Sequence, residues 1–151
     1  AKGLASGYPI SAVLFREELG SWPPGAHGTT FGGQAVAAAA AHATLDLLEG
    51  GLQENAARLG EFLLAELRAL KRRFPFLGDV RGRGLMIGLD FGDPDHPQPD
   101  LRDKAVRLAF EKGLLLLPAG PSALRIAPPL VLTQEEAALG LEILEEVFRA
   151  L

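Results

Sequence analysis

The chain contains no cysteine, which excludes a disulfide framework and any metal site built on thiolates. This absence fits a reducing cytosol, so we expect a cytoplasmic protein. The longest apolar run, residues 35–41, is too short and too rich in alanine to cross a bilayer, so no membrane partner is expected. A net charge of -4 gives no reason to expect nucleic acid as a partner. The histidines and carboxylates show no metal-ligand spacing, and no metal site is predicted.

Methionine is also nearly absent: the only one is Met86, and the sequence begins with Ala1 and Lys2. A translated protein begins with methionine, so we expect the chain to be the tail of a longer protein. The composition is 48% hydrophobic and 23% charged, which is typical of a globular fold rather than a disordered one.

The order of the predicted elements changes along the chain. Residues 10–15 are apolar and predict a short strand, and residues 34–49 predict a helix that is apolar nearly all round and therefore buried on most sides. Residues 52–74 predict a long amphipathic helix. Strands and helices alternate from residue 75 onward, which is typical of an α+β lobe, whereas residues 1–50 resemble the end of a larger α/β domain.

Several local signals fix helix ends and faces. The long helix has one apolar stripe and an exposed pair of Glu54 and Arg58 at i,i+4. Asp100 is the predicted N-cap of a helix that Gly113 ends. Residues 133–136 (TQEE) form a predicted capping box. Strands are expected at residues 80–91, 114–117 and 124–127. The predicted stripe of the long helix comprises Leu52, Ala56, Leu59, Leu63, Leu67 and Leu70.

Two glycine-rich segments could carry chemistry. Lys2 lies among small residues before an apolar run, where an amine can lose solvation and become nucleophilic, although most single lysines are solvated surface residues. Residues 27–33 (HGTTFGG) offer the hydroxyls of Thr29 and Thr30 just before a helix N-terminus. This loop suits a phosphate or carboxylate, or is simply a glycine-rich capping turn.

Arg125 is a third candidate because it lies in a short apolar strand followed by two prolines. A guanidinium in that setting must meet an anion, which is either a structural carboxylate or the carboxylate of a substrate. Arg81 and Arg83 are interpreted as structural or rim charges.

Together these segments resemble the C-terminal portion of the class III pyridoxal-phosphate-dependent aminotransferases, the group with ornithine, acetylornithine and 4-aminobutyrate aminotransferases. Residues 1–13 (AKGLASGYPISAV) resemble the segment with the Schiff-base lysine, and residues 27–33 resemble the phosphate-contacting loop. Residues 80–86 (VRGRGLM) and 124–130 (LRIAPPL) resemble strands of the small domain. The family often has Asn-Pro after the glycine pair, where this chain has Gln34 and Ala35.

The resemblance implies fold type I of the PLP-dependent transferases. Residues 1–50 would be the end of the large PLP-binding domain, residues 51–74 a connecting helix and residues 75–151 the α+β C-terminal small domain. It also implies that upstream sequence supplies the remaining cofactor contacts.

Site roles are implied as well. Lys2 would hold pyridoxal 5'-phosphate covalently and then move a proton between the substrate carbon and the cofactor's C4′. Thr30, with Thr29 beside it, would bind the cofactor phosphate, in this family that of the neighbouring subunit of a homodimer. Arg125 would bind a substrate carboxylate.

The expected reaction is transfer of an amino group from an amino acid to a keto acid such as 2-oxoglutarate. Residues 113–117 (GLLLL) resemble the 4-aminobutyrate branch most, so an ω-amino acid is the expected donor. Two alternatives stay open: a PLP-dependent amino-acid racemase of the same family, and a non-catalytic α+β binding domain.

Overall fold

A computed structural model describes residues 2–20 and 22–151 and divides the chain into two units, Ala1–Gly51 and Leu52–Leu151. Ala1, which belongs to the lysine segment, and Ser21, in the predicted loop before the threonines, lie outside the described residues. The helices are α1 (Ala35–Leu47), α2 (Gln53–Arg73), α3 (Pro99–Glu111) and α4 (Gln134–Arg149), and the strands are β1 (Leu77–Arg83), β2 (Met86–Phe91), β3 (Leu117–Ala119) and β4 (Ala123–Ile126).

The first unit contains α1 and the loops before it. The predicted strand at residues 10–15 is wrong: the segment is irregular, and only a 3-10 turn, Glu17–Leu19, follows it. A strand needs a partner for its backbone hydrogen bonds, and the described part of this unit offers none. The helix α1 is also less buried than predicted, since only Ala37 and Ala41 are buried along it.

The chain kinks after α1, within the segment Leu48–Leu52. Gly51 has φ 124°, a conformation that a residue with a side chain rarely adopts. The predicted break at the glycine pair is confirmed, and Gly51 is the residue that makes it.

The second unit is built on a four-stranded antiparallel sheet with the order β1-β2-β4-β3. Alternate residues of β2 are buried, as the period-two pattern predicts. The helix α2 packs on β1, and α4 contacts both α2 and α3. Phe148 of α4 meets the rings of Phe74, Phe76 and Phe91 at centroid separations of 5.6, 5.9 and 6.1 Å. The largest fully buried side chains of this core are Phe91, Leu59, Leu67, Ile87, Leu89, Leu124 and Val147.

The apolar stripe of α2 is confirmed, with Leu59, Leu63, Leu67 and Leu70 buried. Between the first two, Gly60 faces the β1–β2 turn so closely that an added Cβ would lie 2.3 Å from the carbonyl oxygen of Gly84. Glycine at position 60 therefore lets helix and turn approach backbone to backbone.

The predicted capping box is confirmed, because the Thr133 hydroxyl accepts from the Glu136 N–H while the Glu136 carboxylate accepts from the Thr133 N–H. The predicted cap Asp100 is wrong, since α3 starts two residues earlier than expected, with Pro99 at its first position. Proline is pre-set for that position because its missing N–H has no helical acceptor there. Gly113, with φ 85°, ends α3 as expected.

Two further predictions differ from the structure. The strand expected at residues 114–117 is found at β3, because it pairs with β4 in the register Leu117↔Arg125 to Ala119↔Ala123. The guanidinium of Arg58 bonds Asn55 and Gln134 instead of Glu54, since α4 brings a polar partner next to α2.

Candidate functional site

The loop that carries Lys2 is fastened to α1. Ala5 is fully buried, and the hydroxyl of Ser6 lies 3.0 Å from that of Thr44, which itself donates to the carbonyl of Ala40. A hydrogen bond closes the turn in this loop: the backbone N–H of Ser6 donates to the carbonyl of Gly3 at 3.2 Å. Small residues in this segment thus allow a tight turn that leaves the Lys2 side chain exposed.

The threonine loop is also a tight turn, held by the N–H of Gly32 donating to the carbonyl of Thr29 at 3.2 Å. An added Cβ at Gly32 would lie 3.0 Å from the Thr29 methyl group, so only glycine fits there without a shift. Gly33 has φ 71° and turns the chain into α1.

The two loops face each other across an open cavity of about 620 Å³, which lies entirely within the first unit. Lys2 and Thr29, two of the residues predicted from the sequence, both line it, whereas Thr30 does not. The lining also includes residues that the sequence did not single out, notably the hydroxyl-bearing Tyr8 and Ser11. Their only sequence signal is their position in the lysine segment. The full lining is Lys2, Gly7, Tyr8, Pro9, Ile10, Ser11, Thr29, Phe31, Gly32 and Gly33.

Lys2 is the one charged residue among those that line this cavity, so the cavity favours an anion. At the start of α1 the Gln34 side chain accepts from the N–H of Ala37, which satisfies one of the end groups of the helix. Within the described residues, the N–H groups of Gly33, Ala35 and Val36 have no acceptor. These groups and the positive end of the helix suit a phosphate.

This donor set fits pyridoxal phosphate. An amine that reaches the cavity can bond an aldehyde carbon, and hydroxyl and amide donors can bond a phosphate. The Thr29 hydroxyl accepts from the Phe31 N–H at 3.4 Å, which leaves its own hydrogen free to donate.

Arg125 lies in β4 of the second unit and is exposed, between the buried Leu124 and Ile126. In the part of the chain that the structure describes, its guanidinium makes no ion pair and no side-chain hydrogen bond. The structural carboxylate that was one of its two predicted partners is therefore not found among residues 2–20 and 22–151.

Arg81 behaves as the predicted structural charge. It pairs with Asp90 through both nitrogens of its fork, one of them at 3.1 Å, and with Asp79 at 3.1 Å. Hydrogen bonds from its side chain to Asp90 and Asp79 raise the pKa of Arg81. The guanidinium fork bonds both oxygens of the Asp90 carboxylate, so the pair has a more specific geometry than a single contact would have.

Within residues 2–20 and 22–151, no helix has the length and apolarity needed to cross a membrane. The same residues hold no cluster of three or more metal-ligating side chains.

Comparison with known proteins identifies relatives along the whole sequence. Residues 1–148 match the family described as Aminotransferase class-III. The chain is 42% identical to the acetylornithine aminotransferase of Bacillus subtilis, with 91% of this chain and 34% of that protein covered. It is 41% identical to the alanine/serine racemase of Pyrococcus horikoshii, with 98% and 32% covered. The chain thus spans about a third of the length of these curated relatives.

Solved structures agree. The acetylornithine aminotransferase from Elizabethkingia anophelis matches with a TM-score of 0.76 and 33% identity, over 86% of this chain and 34% of that one. An amine transaminase from an uncultivated Pseudomonas species, solved in a PLP-bound form, matches with a TM-score of 0.75 and 39% identity, over 83% and 30%. The predicted α/β fold class of these enzymes is confirmed, and the family implies PLP as cofactor. The chain belongs to the class-III aminotransferase family.

Proposed function

We propose that this chain forms part of a PLP-dependent aminotransferase. The observation that carries the proposal is that Lys2 and Thr29, which come from two separate loops, line one cavity in a member of the class-III family. A lysine and a phosphate-type donor set at one cavity are two of the protein features that hold pyridoxal phosphate.

Each residue has a stated role in this proposal. Lys2 holds the cofactor covalently and, once released by the substrate, takes and returns the proton of the substrate carbon. Thr29 donates to the phosphate within its own cavity. Thr30, which does not line that cavity, serves the phosphate of a second subunit, so the active unit is a homodimer. Arg125 binds a substrate carboxylate. Bound pyridoxal phosphate supplies an electron sink for the substrate carbon.

The same proposal assigns the ends of the chain to two domains. Residues 1–50 belong to the large PLP-binding domain, residues 51–74 form the helix that connects the two domains, and residues 75–151 form the small domain.

The protein acts in the cytoplasm, as the absence of cysteine favours.

The proposed donor is an ω-amino acid and the acceptor a keto acid such as 2-oxoglutarate. Relatives named acetylornithine aminotransferase support N-acetylornithine as the first donor to test. The sequence at residues 113–117 supports 4-aminobutyrate as the second. Both molecules carry a carboxylate, which a guanidinium can bind, and a terminal amine, which can react with an aldehyde.

The proposal is tested in the complete polypeptide that carries this sequence, loaded with PLP. Glutamate formation from 2-oxoglutarate is measured with each donor in turn. We expect activity with one of them and a loss of roughly a hundredfold or more in Lys2→Ala, since general acid–base catalysis alone contributes that much. Lys71→Ala is the control, because Lys71 lies at the end of α2 in the other unit. Activity that survives in Lys2→Ala would sink the proposal.

A second candidate function is amino-acid racemisation, favoured by the 41% identity to an alanine/serine racemase over 98% of this chain. The same lysine can take the proton from one face of the substrate carbon, and racemisation follows when a second acid returns a proton to the other face. Incubation with one L-amino acid and no keto acid separates the two functions. Appearance of the D-form supports the racemase. Its absence, together with glutamate formation in the separate assay that contains 2-oxoglutarate, supports the transaminase.

A further inference from the structure

The open face of the sheet places three residues in one row across β1, β2 and β4. Arg81 is paired with Gly88, and Gly88 is paired with Arg125. Paired residues of antiparallel strands point to the same face, so both guanidinium side chains rise on either side of a glycine. The Arg81 side chain lies beside that glycine, since a Cβ at position 88 would be 3.9 Å from its Cγ, Nε and Cζ atoms.

Asp90 lies on the same face of β2, two residues beyond Gly88 and opposite Ala123. It is therefore a diagonal neighbour of Arg81 on one side and of Arg125 on the other. Diagonal neighbours are about 7–8 Å apart, which a long side chain can span. Asp90 is thus within reach of both arginines, yet in the structure its two oxygens bond Arg81.

Arg81 also bonds Asp79, so one guanidinium holds two carboxylates. Removal of Arg81 would leave both acids without this partner, and Asp90 would remain a diagonal neighbour of Arg125 on the same face of the sheet. A carboxylate attached to the same sheet competes with a dissolved one at a high effective concentration.

We propose that Arg81 is a positioning residue: by holding Asp90, it keeps that carboxylate from pairing with Arg125 and so leaves Arg125 available for a substrate carboxylate. This inference rests on the role given to Arg125 in the proposed function. It concerns binding of the carboxylate and not the chemical step, because neither Arg81 nor Asp90 has a role at the reacting atoms.

The test compares KM and kcat for the keto acid in the PLP-loaded complete polypeptide. Arg81→Gln is expected to raise KM roughly two- to fivefold, the range of an exposed ion pair, while kcat stays the same. The double variant Arg81→Gln with Asp90→Asn is expected to restore KM, because the competing charge is gone. A merely structural role for Arg81 would not give this rescue.

Arg83→Gln is the matched control. Arg83 lies on the same strand opposite Met86, is exposed, and makes no ion pair with the residues that the structure describes. Its KM is expected to be that of the wild type. An unchanged KM in Arg81→Gln, a change confined to kcat, or a double variant that keeps the raised KM would overturn the inference.

Arg125→Gln separates this inference from the proposed function. If Arg125→Gln leaves KM for the keto acid unchanged, the role of Arg125 fails and the inference fails with it. If Arg125→Gln raises KM and Arg81→Gln does not, only the inference about Arg81 fails.

Discussion

Substitution of Gly60 by alanine measures how closely α2 packs on the β1–β2 turn. The added Cβ would lie 2.3, 2.5 and 2.7 Å from the O, C and Cα atoms of Gly84, where real Cβ contacts stay above 3.0 Å. All three atoms are backbone, and Gly84 has φ 54°, so the turn cannot yield by rotating a side chain. Helix or turn must therefore move by about 0.7 Å or more.

Overpacking of this kind costs about 1–3 kcal/mol, and the gain in helix propensity from glycine to alanine offsets about 1 kcal/mol. We therefore expect Gly60→Ala to lower the free energy of unfolding by up to roughly 2 kcal/mol. Gly140→Ala is the control, because the added Cβ in α4 would meet only Leu114, at an ordinary 3.9 Å. That variant should gain roughly 0.5–1 kcal/mol.

The assay is urea unfolding of the complete polypeptide, followed by far-ultraviolet circular dichroism. Fluorescence of this chain is unsuitable because its single tryptophan, Trp22, belongs to the other unit. Hydrogen exchange of peptides that cover α2 and β1 localises the effect, since faster exchange is expected there in Gly60→Ala. If Gly60→Ala stabilises the protein as much as Gly140→Ala, the close approach is refuted.

Two further predictions concern α4. Thr133→Ala should cost about 1 kcal/mol in urea unfolding, because the cap of the helix is lost, while Thr133→Ser should keep most of it; equal losses would contradict the capping role. Hydrogen bonds from Arg73 and then Arg149 lower the pKa of Glu145 from 4.5 to about 2. Because the fold favours the ionised form, this stabilisation is present above about pH 4.5 and is lost as the pH falls toward 2. Glu145→Gln should therefore flatten the fall in Tm over that range, and an unchanged slope would count against the pair.

Much of the second unit could be predicted from the sequence, because its signals are local and its core is built from them. The leucines of α2 recur at helical spacing, and the capping box at residues 133–136 requires only neighbours along the chain. Asp100 predicted the wrong helix start. Aspartate is a favourable N-cap, but the preceding Pro99 is more favourable as the first residue of a helix. The position of β3 depends on pairing with β4, which no local pattern contains.

The first unit was harder to predict. Residues 10–15 have the composition of a strand, but composition does not provide a partner for hydrogen bonds. The many alanines of α1 predicted a helix buried on most sides, but only Ala37 and Ala41 are buried. That the segments of Lys2 and Thr29 line one cavity could not be derived from their separate patterns, because about 25 residues of loop separate them.

The account depends most on Lys2 as the residue that holds the cofactor. The most direct test is to reduce the PLP-loaded complete polypeptide with borohydride, digest it, and find the labelled lysine by mass spectrometry. The account predicts a pyridoxyl group on Lys2 and none on the other three lysines of this sequence, Lys71, Lys104 and Lys112. A pyridoxyl group on any of those three, or an unlabelled Lys2 in protein that binds PLP, would contradict it.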